Sequence, residues 1–272
     1  SNSGNNIFVY YLFRTVGTVS HPSNNALTAT NGTFSGTLGV TGTQTNNGNF
    51  VVSKATPNVD IKDTGTAQAS MDFLSNSDTV RATIGMERSA GGGLFVGSSA
   101  YAAVFGTASS GNTEFATNNN IQMKIDSTGA VTMPNQPAFL VTKSGNQTNI
   151  TAGGAAQTIT FETEVFDQND DFSSNTFTAP VTGRYQLQFI LSVSQIDLDA
   201  TQINFRLATS NRNIQFFLDP KVFDTDSGFF PLSISALADM DANDTCIIQL
   251  VYDGGSQTDV AQESHFSGYL VC

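Results

Sequence analysis

The sequence has no tryptophan, only two cysteines and two histidines, and only 12% of its 272 residues are charged. Cys246 and Cys272 cannot supply the several spaced pairs of a disulfide framework, so each reads as a small buried hydrophobe or an incidental terminus. No Cys/His spacing matches a zinc site. The longest unbroken apolar run, Ile7 to Phe13, falls far short of the roughly 20 residues of a membrane helix, so no membrane insertion is expected. Positive charge is scarce, with 11 Lys+Arg against 23 Asp+Glu, and no basic stripe exists. Binding to a phosphate backbone needs clustered cations to displace counterions, so no nucleic-acid partner is expected. No charged segment followed by an apolar one opens the chain, so no signal peptide is expected. The opening at Ser1 reads as the ordered part of a longer or processed protein.

What the chain does have is 21 phenylalanines, 39% hydrophobic residues, and solubility supplied by Asn, Thr, Ser and Gly rather than by charge. No segment keeps an i, i+3, i+4, i+7 apolar pattern with caps, so almost no helix is expected and the fold class is all-β. The acidic excess is local. Residues 1–135 hold 6 Lys+Arg and 7 Asp+Glu, a net of −1, whereas residues 136–272 hold 5 and 16, a net of −11.

Three regions follow. Residues 1–31 read as an N-terminal strand (Ile7–Phe13) and a connector broken at His21-Pro22. Residues 32–136 read as a β-rich shaft of short strands, among them FVVSK, NVDIKD, ASMDFLSN, RATIGMER, GLFVGSS and IQMKIDS. Spaced single hydrophobes between glycines suit narrow β-structure in which three chains share one axis, because a lone ribbon is marginal in water. Gly91-Gly92-Gly93 lacks the Lys-Ser/Thr of a phosphate loop and precedes no helical pattern. Residues 137–272 carry longer, Phe-dense strands and read as a two-sheet sandwich or jelly roll.

Two resemblances sharpen this reading. FSGTLGVTGTQTNNGNFVV (Phe34–Val52) and IQMKIDSTGAVTMP (Ile121–Pro134) resemble phrases of bacteriophage tail-fibre shafts. Phe161, Asp167, Phe172, Phe177, Gly183, Tyr185 and Phe189 resemble, in order and spacing, the aromatic signature of the C1q/TNF-like jelly roll. The closing Phe266-Ser267-Gly268-Tyr269-Leu270 is similar to that family's last strand, and Asn243-Asp244 to the turn before one of its long strands. Two positions depart from the pattern: four residues separate Phe172 from Phe177 where six are usual, and Leu187 stands where Phe is usual.

The resemblances imply an extended trimeric β-shaft followed by a C1q-like head, with Phe161, Phe172, Phe177, Gly183, Tyr185, Phe189, Phe266, Gly268 and Tyr269 in the head's core. Gly183 is read as free to take positive φ in the turn after Thr178. The implied protein is a homotrimeric, non-enzymatic tail fibre of a virion, assembled in the host cytoplasm. Its partners would be other tail or baseplate proteins and a host surface receptor met by loops 142–157, 194–202 and 219–228. The alternatives are a capsid or baseplate decoration protein whose head is only a trimer clamp, and a surface-polysaccharide depolymerase. Neither His21 nor His265 comes with a motif-placed nucleophile, so no catalytic residue is assigned. No cofactor is expected beyond calcium, for which Asp224 and Asp226, ahead of Phe229, are the candidate ligands, with Phe230 standing where a side-chain oxygen is expected.

Overall fold

A computed structural model describes residues 45, 49–54, 56, 57, 59–63, 66–77 and 79–272. The strand and connector expected over 1–31, with His21, lie outside the described residues, as does most of Phe34–Val52. The chain divides into Ser1–Asp60 and Ile61–Cys272. The described residues of FVVSK and NVDIKD form no strand, against expectation.

From Ala69 onward the structure is nearly all-β; the described residues contain one 3₁₀ turn, Pro220–Val222, and no helix able to cross a membrane. Strands β1 (Ala69–Leu74), β2 (Val80–Met86) and β3 (Ala103–Thr107) form one antiparallel sheet in that order. The expected strand GLFVGSS is not one. Residues 87–102 form a loop because the Glu87 carboxylate captures the N–H groups of Gly93, Leu94 and Phe95, which a ladder would need. The loop folds over one face of the sheet. Leu94 lies where a Cβ on Gly85 would stand, 2.8 Å away, and the Phe95 ring lies 3.1 Å from the same point on Gly106.

Strands β4 (Thr113–Thr117), β5 (Asn120–Ile125) and β6 (Val131–Thr132) form a second three-stranded sheet. Asn118 and Asn119, both at positive φ, make the two-residue turn between β4 and β5. The Asp126–Ala130 turn explains the IDSTGAV phrase. One Asp126 oxygen accepts the Thr128 hydroxyl at 2.7 Å and the N–H groups of Thr128 and Ala130, while Gly129 takes φ +90°. Those bonds, the Thr128 hydroxyl first, hold the Asp126 carboxyl below its usual range.

The remaining strands are β7 (Ala138–Thr142), β8 (Gln147–Ile150), β9 (Gly153–Thr158), β10 (Thr163–Asp167), β11 (Phe172–Ser173), β12 (Thr176–Thr178), β13 (Gly183–Ile196), β14 (Ala200–Thr209), β15 (Asn213–Leu218), β16 (Ser227–Met240), β17 (Thr245–Gly254), β18 (Thr258–Val260) and β19 (His265–Leu270). They build two facing antiparallel sheets. The first has the order β10-β7-β19-β13-β18-β8, with β16 running along the whole of β13; the second has β11-β12-β17-β14-β15, with β9 on β17. As the edge strand beside β13, β16 tolerates Pro231, which cannot donate to a ladder. The run QTITFETEVFD, expected as one strand, is two: it leaves the second sheet after Thr158 and enters the first at Thr163.

Strict alternation along β13 sends Tyr185, Leu187, Phe189, Leu191 and Val193 inward, all fully buried. They meet Ile203, Phe205 and Leu207 of β14 and Cys246, Ile248, Leu250 and Tyr252 of β17, which are equally buried. Burial pushes the Cys246 thiol far above its ordinary range, so it acts as an inert hydrophobe. Phe161, Phe172, Phe177 and Phe266 are in the same core. Tyr185 closes it at one end by donating its hydroxyl to the Val181 carbonyl at 2.7 Å.

Two expected core residues behave differently. Tyr269 is 53% exposed: it sits one residue past inward Gly268, so the pleat turns it out, opposite Gln186. Gly183 is not at positive φ; what it needs is room, because a Cβ there would come within 2.6 Å of Leu270 Cδ1 and 2.8 Å of the Cys272 carbonyl oxygen. Gly268 is the tighter case, with its missing Cβ 2.5 Å from Leu187 Cδ2 and 2.8 Å from the Phe139 ring. Gly268→Ala is therefore expected to lower stability by about 1–3 kcal/mol, the usual cost of overpacking. A urea midpoint unchanged from wild type would show that Leu187 and Phe139 yield freely.

Candidate functional site

Two surfaces of the C-terminal half stand out. The first is the outward face of the β10-β7-β19-β13 sheet with β16. Cross-strand register places Phe166, Tyr269 and Leu237 on this face, each about half exposed. This face holds a hollow of about 400 Å³ whose lining includes Ala138, Leu140, Phe166, Gln186, Gln188 and Tyr269. No charged residue lines this hollow, in a half-chain whose net charge is −11. An apolar, uncharged patch on a flat sheet is the composition of a subunit contact.

The second surface is the group of loops at one end of the sandwich. Here carboxylates hold the backbone in place. Asp226 Oδ1 accepts the Leu198 N–H at 2.9 Å, which ties loop 219–228 to loop 194–202. Asp197 accepts the N–H groups of Asp199 and Ser256, which keep it below the ordinary carboxylate range, while its own N–H donates to the Tyr252 hydroxyl at 2.9 Å. Asp219 caps the Pro220–Val222 turn through the Lys221 N–H. Asp259 accepts the Asn149 N–H, and Asn146 accepts the Gln262 N–H, so loop 142–157 is tied to residues 259–262.

The segment 253–263 was not among the loops expected to form this end, although Asp253-Gly254-Gly255, with both glycines at positive φ, signals a turn there. Val222 and Phe229, 68% and 71% exposed, add apolar contact area beside the acidic loops. This surface can offer hydrogen-bond acceptors, negative charge and exposed apolar groups to a partner.

The structure places Asp224 and Asp226 in one of these loops, but their surroundings within one chain do not make a cage. Among the described residues no three His, Cys, Asp or Glu side chains are arranged to hold a metal, and one Asp226 oxygen is already engaged by Leu198. Calcium takes six to eight oxygens, so a single chain does not fit the ion here. His265, half-buried on β19 opposite Thr142 and Ile190, has no hydrogen-bonded nucleophile or carboxylate among the described residues.

Asp167, part of the aromatic signature, shapes the β10–β11 corner, because its two oxygens accept the N–H groups of Asp171 and Phe172. The cost falls on Asp171, whose Oδ2 is buried without a partner. Burial first, then the charge of Asp167, pushes the Asp171 carboxyl up to about 6. The folded state therefore holds this proton more tightly than the unfolded chain, and this group's penalty is fully present above pH 6 and relieved as pH falls from 6 towards 3.8. Asp171→Asn is expected to raise the melting temperature at pH 7.5 and to flatten its rise between pH 6 and 4. Parallel melting curves for the two proteins across that range would contradict the assignment.

Residues 138–271 match the family model of the C1q domain. No curated protein matches the chain. Among solved structures, the globular domain of the zebrafish complement 1qA protein is 23% identical, over 50% of this chain and 98% of that one, with a TM-score of 0.38. Murine APRIL, in a crystal structure at pH 5.0, is 6% identical over 50% of this chain and 99% of that one, with a TM-score of 0.37. The two facing sheets, the inward aromatics of β13 and the matched span agree: residues 138–271 of this chain fold as a C1q-like jelly roll.

Proposed function

We propose that the chain is the distal part of a bacteriophage tail fibre, a homotrimer that adheres to the host bacterial surface through its C1q head. The observation that carries this reading is the separation of two surfaces on the head: a sheet face with an uncharged hollow bordered by Phe166 and Tyr269, suited to subunits, and an acidic loop end suited to a partner. C1q/TNF-like domains form homotrimers, and the C1q domain is a binding or structural unit rather than an enzyme. Three copies would gather these loops at one tip, and their heads together would carry about −33 of formal charge, part of it on the loops. A tip of that sign favours a receptor with basic patches or bound cations, and several weak contacts per fibre gain strength by avidity. The shaft phrases Phe34–Val52 and Ile121–Pro134 supply the tail-fibre half of the reading.

The test is binding of the purified, fluorescently labelled full chain to a panel of bacterial strains, together with competition against phage adsorption. Saturable binding that blocks adsorption on the same strain supports adhesion. A folded, multi-chain protein that binds no strain points to a clamp on the capsid or baseplate, and loss of capsule or lipopolysaccharide on incubation points to a depolymerase.

A further inference from the structure

Strand β14 lies inside the second sheet of the sandwich, paired with β17 on one side and β15 on the other. Ile203, Phe205 and Leu207 point into the core, so alternation turns Asn204 and Arg206 to the outer face. The register sets Arg206 between Gln249 and Gln215, and Asn204 between Val251 and Phe217, whose ring is 55% exposed. Arg206 and Asp253 are the only charged residues on the strands of this sheet. Asp253 stands opposite Gln202, roughly 13 Å along the strand from Arg206, and accepts the Thr201 hydroxyl at 3.3 Å.

Arg206 therefore has no carboxylate. Residues 136–272 hold 16 Asp+Glu, yet no ion pair reaches the half-buried Arg206 side chain among the described residues, and its Nε is buried without a partner. Beside it Asn204, 1% exposed, gives its NH2 group to Gln215 Oε1 at 3.1 Å and leaves its own Oδ1 buried and unpaired. Two of the three buried polar side-chain atoms that lack a partner among the described residues thus stand on neighbouring outward positions of one strand. A cation taken out of water without an anion destabilises the fold that holds it, so the missing group must come from outside the chain.

The surroundings of Arg206 specify that group. The Asn204 bond leaves the Gln215 NH2 group free to donate, and the Gln249 amide opposite makes no hydrogen bond among the described residues. Planar amides beside a guanidinium suit a carboxylate flanked by hydroxyls, because hydroxyls both donate and accept. Phe217 adds an apolar platform for the C–H face of a sugar ring. An acidic peptide binding as a strand would seek an unpaired sheet edge, whereas Arg206 lies in mid-sheet. We propose that the outer face of the second sheet binds an acidic saccharide, whose carboxylate pairs with Arg206, whose hydroxyls meet Gln215 and Gln249, and whose ring rests on Phe217. Subunit contacts on the hollow-bearing face of the first sheet leave this face open. The proposal goes beyond the adhesion reading, whose partner meets the acidic loops, and its probes are pure compounds, so the two fail separately.

The experiment is saturation-transfer difference spectroscopy on the full chain with a galacturonate trisaccharide, its fully methyl-esterified form and a triglutamate peptide. The acid should bind; the ester, with the same ring hydroxyls and no charge, should bind about tenfold or more weakly. Arg206→Met keeps the stem and removes the charge, so it should lose the acid by a similar factor while melting at or above the wild-type temperature. Gln249→Glu supplies a carboxylate to Arg206 from within the chain. It should raise the melting temperature near neutral pH and shut the saccharide out. If Arg206→Met does not fold, Gln249→Glu decides, because it leaves Arg206 in place. Equal binding of acid and ester, binding of neither, undiminished binding by either variant, or a folded Arg206→Met that melts well below wild type overturns the proposal. Preference for triglutamate assigns the face to a protein partner and overturns the saccharide.

Discussion

Replacing Phe139 by alanine is expected to cost about 3–5 kcal/mol of the C1q-like domain's stability, the range for deleting a buried aromatic ring. Phe139 belongs to β7 of the first sheet, is 1% exposed, and is the ring on which the aromatic cluster converges. It stacks on Phe177 at 4.8 Å and on Phe172 at 5.5 Å, both from the opposite sheet, and meets Phe266 edge-on at 4.9 Å. Its removal therefore opens a void between the sheets, and the neighbours cannot all close on it. Phe172 and Phe177 are fixed to each other by the β11–β12 ladder, and Phe266 by its pairing with Phe189 and Val141. Urea unfolding followed by near-ultraviolet circular dichroism should show a lower midpoint with an unchanged slope. Because Phe139 and Phe177 touch, the double variant should lose less than the two single losses added, by about 0.5–1.5 kcal/mol. Strict additivity would mean that the two rings act independently.

The half of the chain that is legible in the sequence is the half where side-chain alternation and three-dimensional environment coincide. Tyr185, Leu187 and Phe189 face one core from one long strand, so period-two reading finds them. Tyr269 shows where a motif misleads: it belongs to the closing Phe-Ser-Gly-Tyr-Leu phrase, yet the pleat that turns Gly268 in turns Tyr269 out. Gly183 stands out in the sequence for a positive φ it does not take, since crowding by Leu270 and Cys272, brought there by the last strand, is invisible to a local reading. The acidic loops are legible as acidic. Their use as backbone anchors is not, because Asp226 reaches Leu198 and Asp259 reaches Asn149 across long stretches of sequence. The pairing of the β1-β2-β3 sheet is half legible. Met71-Asp72-Phe73 alternates in plain view, but only the register shows that Ile84 and Phe105 stand beside Met71.

The 87–102 loop holds the strand-like run GLFVGSS, and the residue that overrules the strand also gives the second large effect. Glu87 is 1% exposed, and its two oxygens accept the Gly93 N–H at 2.8 Å, the Leu94 N–H at 2.9 Å, the Phe95 N–H at 3.0 Å and the Ser98 hydroxyl at 2.5 Å. The Ser98 bond first, with the three backbone donors, holds the carboxyl down to about 2. A carboxylate with a depressed value stabilises the fold fully above its ordinary 4.5, and that contribution is lost as pH falls towards 2. Glu87→Gln keeps the shape but removes the charge and turns two N–H donors towards a site built of donors. The amides of Gly93, Leu94 and Phe95 are expected to exchange with solvent on the order of a hundredfold faster, as the loop opens and lifts Leu94 and Phe95 from the glycines beneath them. Acid should reproduce the effect in the wild type: the melting of the β1-β2-β3 sheet should fall between pH 4.5 and 2, and the variant should show no such fall. At a given pH the C1q-like domain, which Glu87 does not touch, should melt alike in wild type and variant. Unchanged exchange at Gly93, Leu94 and Phe95 in Glu87→Gln would mean that the three N–H groups are held by the turn itself and that the carboxylate only follows.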